Sequence, residues 1–79
     1  MEAHELGRRI AALDSTTRAM LTEWETELAS IGSDSLRQLS RVGLDSARAR
    51  HQREITAMRG AEAAIAPALA AQRDRTLAL

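Results

Sequence analysis

Residues 6–31 read LGRRIAALDSTTRAMLTEWETELASI, and their spacing decides the fold. Apolar side chains fall at Leu6, Ile10, Leu13, Met20, Leu21, Trp24, Leu28 and Ile31. At about 100° per residue these positions, together with Thr17, lie within roughly 60° of the direction in which Trp24 points. Steps of four and three residues alternate from Leu6 through Ile10, Leu13, Thr17 and Met20 to Trp24, the spacing of a coiled-coil seam that Leu21 and Leu28 widen. One helix cannot bury such a stripe by itself, so the stretch demands a partner helix. The expected fold class is all-α: an antiparallel two-helix hairpin, coiled-coil-like, with a Pro-kinked or separate short C-terminal helix.

Working outward, residues 2–30 read as one helix dominated by Ala, Leu, Glu and Arg, all strong helix formers. Its outward face carries Glu2, Glu5, Arg8, Arg9, Asp14, Arg18, Glu23 and Glu25, with Glu5–Arg9 and Asp14–Arg18 spaced to pair one turn apart. Ile31-Gly32-Ser33-Asp34 marks the turn over 31–34: Gly32 suits the left-handed position after a helix, and Ser33 or Asp34 suits the cap of the next. A connection this short makes the two helices antiparallel neighbours.

The second helix is expected over 34–66. Its weaker stripe comprises Leu36, Ser40, Gly43, Leu44, Ala47, His51, Ile55, Met58, Ala61 and Ile65. In a hairpin turning near residue 32, facing positions sum to about 65. Trp24 then meets Ser40, Gly43 and Leu44, where glycine leaves room for an indole. Leu13 and Thr17 meet Ala47 and His51; Leu6 and Ile10 meet Ile55 and Met58. Charge agrees: residues 1–34 hold seven acids against three Arg, a balance of −4, and residues 35–66 hold six Arg against three acids, a balance of +3. Pro67 is expected to kink the chain or to open a third helix over 68–78. The whole, residues 1–79, reads as a single helical domain.

The composition narrows function by exclusion. With no Phe, no Tyr, one Trp and 79 residues, any core is thin and aliphatic, and association is a common remedy. Eleven Arg balance eleven acids, so net charge gives no support for a nucleic-acid or anionic-membrane partner. The absence of Cys excludes disulfides, thiolate metal sites and cysteine nucleophiles. No apolar run approaches the ~20 residues of a membrane span, and the acidic start Met1-Glu2-Ala3-His4-Glu5 is no signal peptide. From the chain alone the compartment reads as cytoplasmic.

A set of short motifs stands in a recognisable order: Trp24-Glu25-x-Glu27-Leu28, Ser35-Leu36-Arg37, Arg48-x-Arg50, Ile55-Thr56-Ala57-Met58-Arg59-x-Ala61-Glu62, and Pro67-x-Leu69-x-Ala71-x-Arg73-Asp74. Over roughly residues 9–79 the chain resembles an uncharacterised group of all-helical bacterial proteins of unknown function, whose members often look like envelope lipoproteins with long amphipathic helices. The resemblance implies the cell envelope as the setting of full-length relatives. Against that pattern this chain looks like an interior hairpin, without the signal and lipid-attachment region, the helix before Leu6 and the helix that follows. The resemblance lends no catalytic residues.

Candidate sites are few. His51 lies on the stripe three residues before Glu54, but a single H-x-x-E falls short of a helical-bundle metal site, and a core-edge histidine bonded to Thr17 or a carboxylate is the expectation. Arg48, Arg50 and Arg53 form the one basic cluster, a possible anion-binding or nucleic-acid surface, though no aromatics interleave for base stacking. Trp24 is expected as a packing anchor. Glu23, Glu25 and Glu27 share a turn without an opposing acid, so no general acid–base pair forms. No catalytic, cofactor-binding or metal-ligating set is assigned, and the chain is read as no enzyme. The expectation is a structural or interaction module. Its seam comprises Leu6, Ile10, Leu13, Met20, Leu21, Trp24, Leu28, Ile31, Leu44, Ile55, Met58 and Ile65, and its partners are a second copy, in an antiparallel four-helix dimer, or other helices. The alternative is an anionic surface held by Arg48, Arg50 and Arg53.

Overall fold

A computed structural model describes residues 3–78. The expected helix start at Glu2 and the apolar end at Leu79 lie outside the described residues. The described residues form two helices: α1, Ala3–Leu28, and α2, Asp34–Ala78. They pack side by side as an antiparallel hairpin, in a rod of 69 × 16 × 10 Å.

The turn is built differently from the expectation. No described glycine has positive φ, so Gly32 does not take the left-handed position. Instead α1 closes with a tightened last turn, in which the N–H groups of Ala29, Ser30 and Ile31 donate to the carbonyls of Thr26, Glu27 and Leu28 at 3.3, 2.9 and 3.2 Å. Arg37 then donates to the Ile31 carbonyl from Nε and Nη2 at 3.2 and 2.9 Å, and from Nη1 to Asp34 at 3.0 Å. The backbone bonds serve the carbonyls of Thr26, Glu27 and Leu28, and Arg37 serves that of Ile31. Ser33 caps α2, its Oγ accepting from the Leu36 N–H at 3.4 Å.

The expected break at Pro67 does not occur as a separate helix: α2 is continuous through it. Its 45 residues at a rise of about 1.5 Å each account for the 69 Å length of the rod, which leaves no room for a sharp bend. Proline removes one hydrogen bond, to the Ala63 carbonyl, and that residue is exposed, so water can serve the carbonyl. The six residues from Ala61 to Ala66 are all Ala, Glu or Ile, and Ala-rich sequence resumes at once after Pro67. No second helix packs there to impose a bend.

The core follows the facing-position rule but rotates α1 slightly. Ile10, Leu28, Leu44 and Ile55 are buried, Leu44 completely. Leu6, Leu21, Trp24, Ile31, Met58 and Ile65 are half-buried. Leu13 and Met20, expected on the seam, are 45% and 64% exposed. The positions that meet α2 run Ile10, Asp14, Thr17, Leu21, Trp24, Leu28 and Ile31, again in alternating steps of four and three. Leu21 and Leu28, expected to widen the seam, lie at its centre, and Leu13 and Met20 form its uncovered edge. In this rotation a polar pair, Asp14 and His51, sits inside the seam.

Candidate interaction surface

Trp24 is the anchor of the hairpin. Its Nε1–H donates to Ser40 Oγ at 2.8 Å, and its ring edge lies over Gly43, where an added Cβ would stand 3.4 Å from Cζ2. The glycine thus costs helix propensity but lets the indole approach the α2 backbone. Ser40 and Gly43 are positions the facing rule sets opposite Trp24, and Leu44, the third of them, is fully buried.

Asp14 reaches into the same interface three turns away. Its Oδ1 lies 2.8 Å from His51 Nε2 and accepts from Arg18 Nε at 2.9 Å. His51 is buried, and the carboxylate satisfies it, as expected of a core-edge histidine. The His51 hydrogen bond first, and the Arg18 hydrogen bond second, hold the Asp14 carboxyl below its ordinary pKa. The outward position expected for Asp14 is therefore corrected: it pairs with Arg18 as its spacing requires, and the same Oδ1 also meets His51 of α2.

Glu25 binds α2 through two arginines. Arg48 Nη2 donates to it in a short contact, and Arg41 Nη1 lies 3.7 Å away. The Arg48 hydrogen bond and charge lead in lowering the Glu25 pKa, with Arg41 adding to them. Near the far end, the Glu62 carboxylate covers Gly7, where a Cβ would collide with it. Gly7, a weak helix residue on its own, makes space for an α2 side chain beside the positively polarised start of α1.

The three candidate anion-binding arginines do not share a face. At about 100° per residue Arg48 and Arg50 point roughly 160° apart, with Arg53 near the outward side. Arg48 is engaged by Glu25, while Arg50 and Arg53 are exposed. Among the described residues no group of three or more His, Asp or Glu side chains is placed to hold a metal ion, and no helix is long and apolar enough to cross a membrane.

The unpaired apolar surface is the remaining feature. Leu13, Met20, Leu36, Leu39 and Val42 are exposed along the hairpin. Because α1 begins opposite about residue 62, the last 16 or so residues of α2 have no helix beside them, and Leu69 and Leu77 are exposed there.

The chain belongs to the family described as protein of unknown function (DUF2959), whose model matches residues 1–79. Comparison with curated proteins and with solved structures gives no match.

Proposed function

We propose that this chain is a non-enzymatic interaction module, a helical hairpin that associates with itself or with partner helices. One observation carries the reading. The chain exposes 6026 Å², whereas a folded monomer of 8.6 kDa exposes roughly 4,700 Å². The difference, roughly 1,300 Å², includes the leucines and methionine that the hairpin leaves uncovered. A two-helix rod has no third wall, and a second pair of helices supplies one. The alternative, an anionic surface bound through Arg48, Arg50 and Arg53, draws no support from arginines that diverge around α2. The cell envelope as a setting rests on the sequence resemblance, and fractionation of cells expressing the full-length gene product tests it.

Sedimentation of the chain over about a hundredfold range of concentration, with thermal unfolding at each, tests association. The melting temperature should rise with concentration if the folded form is an assembly. A monomer whose cooperative transition is the same throughout would defeat self-association and leave partner helices as the only occupant.

A further inference from the structure

Facing positions whose numbers sum to about 65, such as Trp24 with Ser40 and Asp14 with His51, set Arg18 of α1 level with Arg48 of α2. Between these two arginines the helices leave an open groove of about 480 Å³, within the range of roughly 300–1,000 Å³ found for small-molecule sites. Its polar lining is Arg18, Thr22, Arg48, His51 and Gln52. Each of these side chains carries an N–H or O–H to donate, and no carboxylate lines the groove. Leu21 and Ala49 give the same groove an apolar wall. The groove beside Leu13 differs, because Glu54 lines it.

Both guanidinium groups are held by acids that stand outside the groove. Arg18 gives its Nε–H to Asp14 at 2.9 Å, and Arg48 gives an Nη2–H to Glu25. The remaining guanidinium nitrogens, Nη1 and Nη2 of Arg18 and Nε and Nη1 of Arg48, have no partner among the described residues. An arginine fixed on one edge by a carboxylate loses less freedom when its other edge takes a second oxyanion.

We infer that this groove binds a small organic anion: a phosphate group that takes hydrogen bonds from Arg18 and Arg48, on a short apolar body that rests against Leu21 and Ala49. Guanidinium donors match the oxygens of a phosphate and form charge-assisted hydrogen bonds with them. Thr22 and Gln52 add neutral donors for further oxygens. The site is distinct from the run Arg48, Arg50 and Arg53, since its second arginine comes from α1 and only the hairpin brings the two into one groove. It does not depend on association of the chain.

The test titrates phenyl phosphate into the full chain and follows backbone amide shifts by two-dimensional NMR, with far-UV circular dichroism to confirm the helices of each variant. Arg18→Gln removes one guanidinium and leaves the Arg48–Glu25 pair in place. Ala49→Glu sets a carboxylate in the groove at an exposed helix position, and Arg53→Gln removes an exposed arginine that does not line it. Saturable shifts should centre on residues 18–22 and 48–52. Arg18→Gln and Ala49→Glu should each weaken binding about tenfold, and Arg53→Gln should leave it unchanged. Inorganic phosphate, which has no apolar body, should bind several-fold more weakly. Shifts that never saturate, or an Arg53→Gln loss equal to that of Arg18→Gln, would reduce the effect to diffuse attraction between charges and overturn the site. Inorganic phosphate binding as tightly as phenyl phosphate would overturn the part given to Leu21 and Ala49. Phosphatidylcholine vesicles with and without phosphatidic acid separate the two sources of such a phosphate. Capture by phosphatidic acid that Arg18→Gln abolishes assigns it to a lipid head group, and phenyl phosphate binding without capture assigns it to a soluble molecule.

Discussion

Replacing Trp24 probes the one contact on which the hairpin register turns. The indole is half-buried, rests on Gly43 and donates to Ser40 Oγ at 2.8 Å. Truncating a fully buried Trp or Phe to Ala costs about 3–5 kcal/mol, and the seam-edge position trims this to about 2–3 kcal/mol. The hydrogen bond adds about 1 kcal/mol at most, part of it regained as the half-buried Ser40 hydroxyl meets water. Trp24→Ala should therefore cost about 3 kcal/mol. For a chain of this size that lowers the melting temperature by about 12–24 °C. Trp24→Phe, which keeps a ring over Gly43 but has no N–H to donate, should cost about 1 kcal/mol, and Ser40→Ala less. Denaturant unfolding followed by circular dichroism measures the three values at one fixed protein concentration. The sole Trp also reports directly, since its emission should shift to the red as the ring leaves the seam. If Trp24→Ala melts within about 2 °C of the wild type, the ring is not a packing anchor and the register reasoned from it is wrong.

Three further outcomes are expected. Gly43→Ala should be neutral or stabilising by up to about 1 kcal/mol, because its Cβ meets Trp24 at an ordinary 3.4 Å while helix propensity improves, whereas Gly43→Leu should destabilise by about 1–3 kcal/mol through overpacking; both are read by thermal melts. Pro67→Ala should raise helicity and stabilise the overhanging part of α2 by up to about 3 kcal/mol, seen as slower amide exchange over residues 63–70; unchanged exchange would mean that the helix end frays independently of the proline. Acid should destabilise the fold in a defined direction. Asp14 and Glu25 have folded pKa values below their unfolded ones, so the native state binds fewer protons, and the stability they contribute is whole above the ordinary carboxylate range and is lost as pH falls through it and on below the depressed folded values. Asp14→Asn and Glu25→Gln should each flatten that acid limb of the stability profile, and a profile as steep in both variants as in the wild type would refute the assignment.

Much of this architecture is legible in the amino-acid order. The four–three spacing and the rich supply of Ala, Leu, Glu and Arg specify two long helices, since side chains on one helix recur every 3.6 residues whatever lies opposite. The short Gly32-Ser33-Asp34 connection makes them antiparallel, and chain geometry then fixes which positions are level, which is why Trp24 meets Ser40 and Gly43 as expected. The i,i+4 pairs Glu5–Arg9 and Asp14–Arg18 follow from the same local geometry.

The rotation of α1 about its own axis was decided only in the folded hairpin. Two four–three series overlap along this helix, one through Leu13 and Met20 and one through Asp14, Leu21 and Leu28, and hydrophobicity counted on a single helix favours the first because from Leu6 to Trp24 it meets no carboxylate. A carboxylate enters a seam when its partner waits on the other helix, and His51 is that partner, at the position whose number sums with Asp14 to 65. Likewise Glu25 acquired its arginines, Gly7 its covering Glu62, and the Ile31 carbonyl its Arg37 donors only once distant side chains were brought side by side. Pro67 is the converse: the local rule anticipates a break, but beyond residue 62 no neighbouring helix presses on α2, and an exposed Ala-rich helix carries one missing hydrogen bond without bending sharply. Period and connection length are properties of one chain segment and can be read from it, whereas the pairing of buried polar groups is a property of two segments and exists only where they meet.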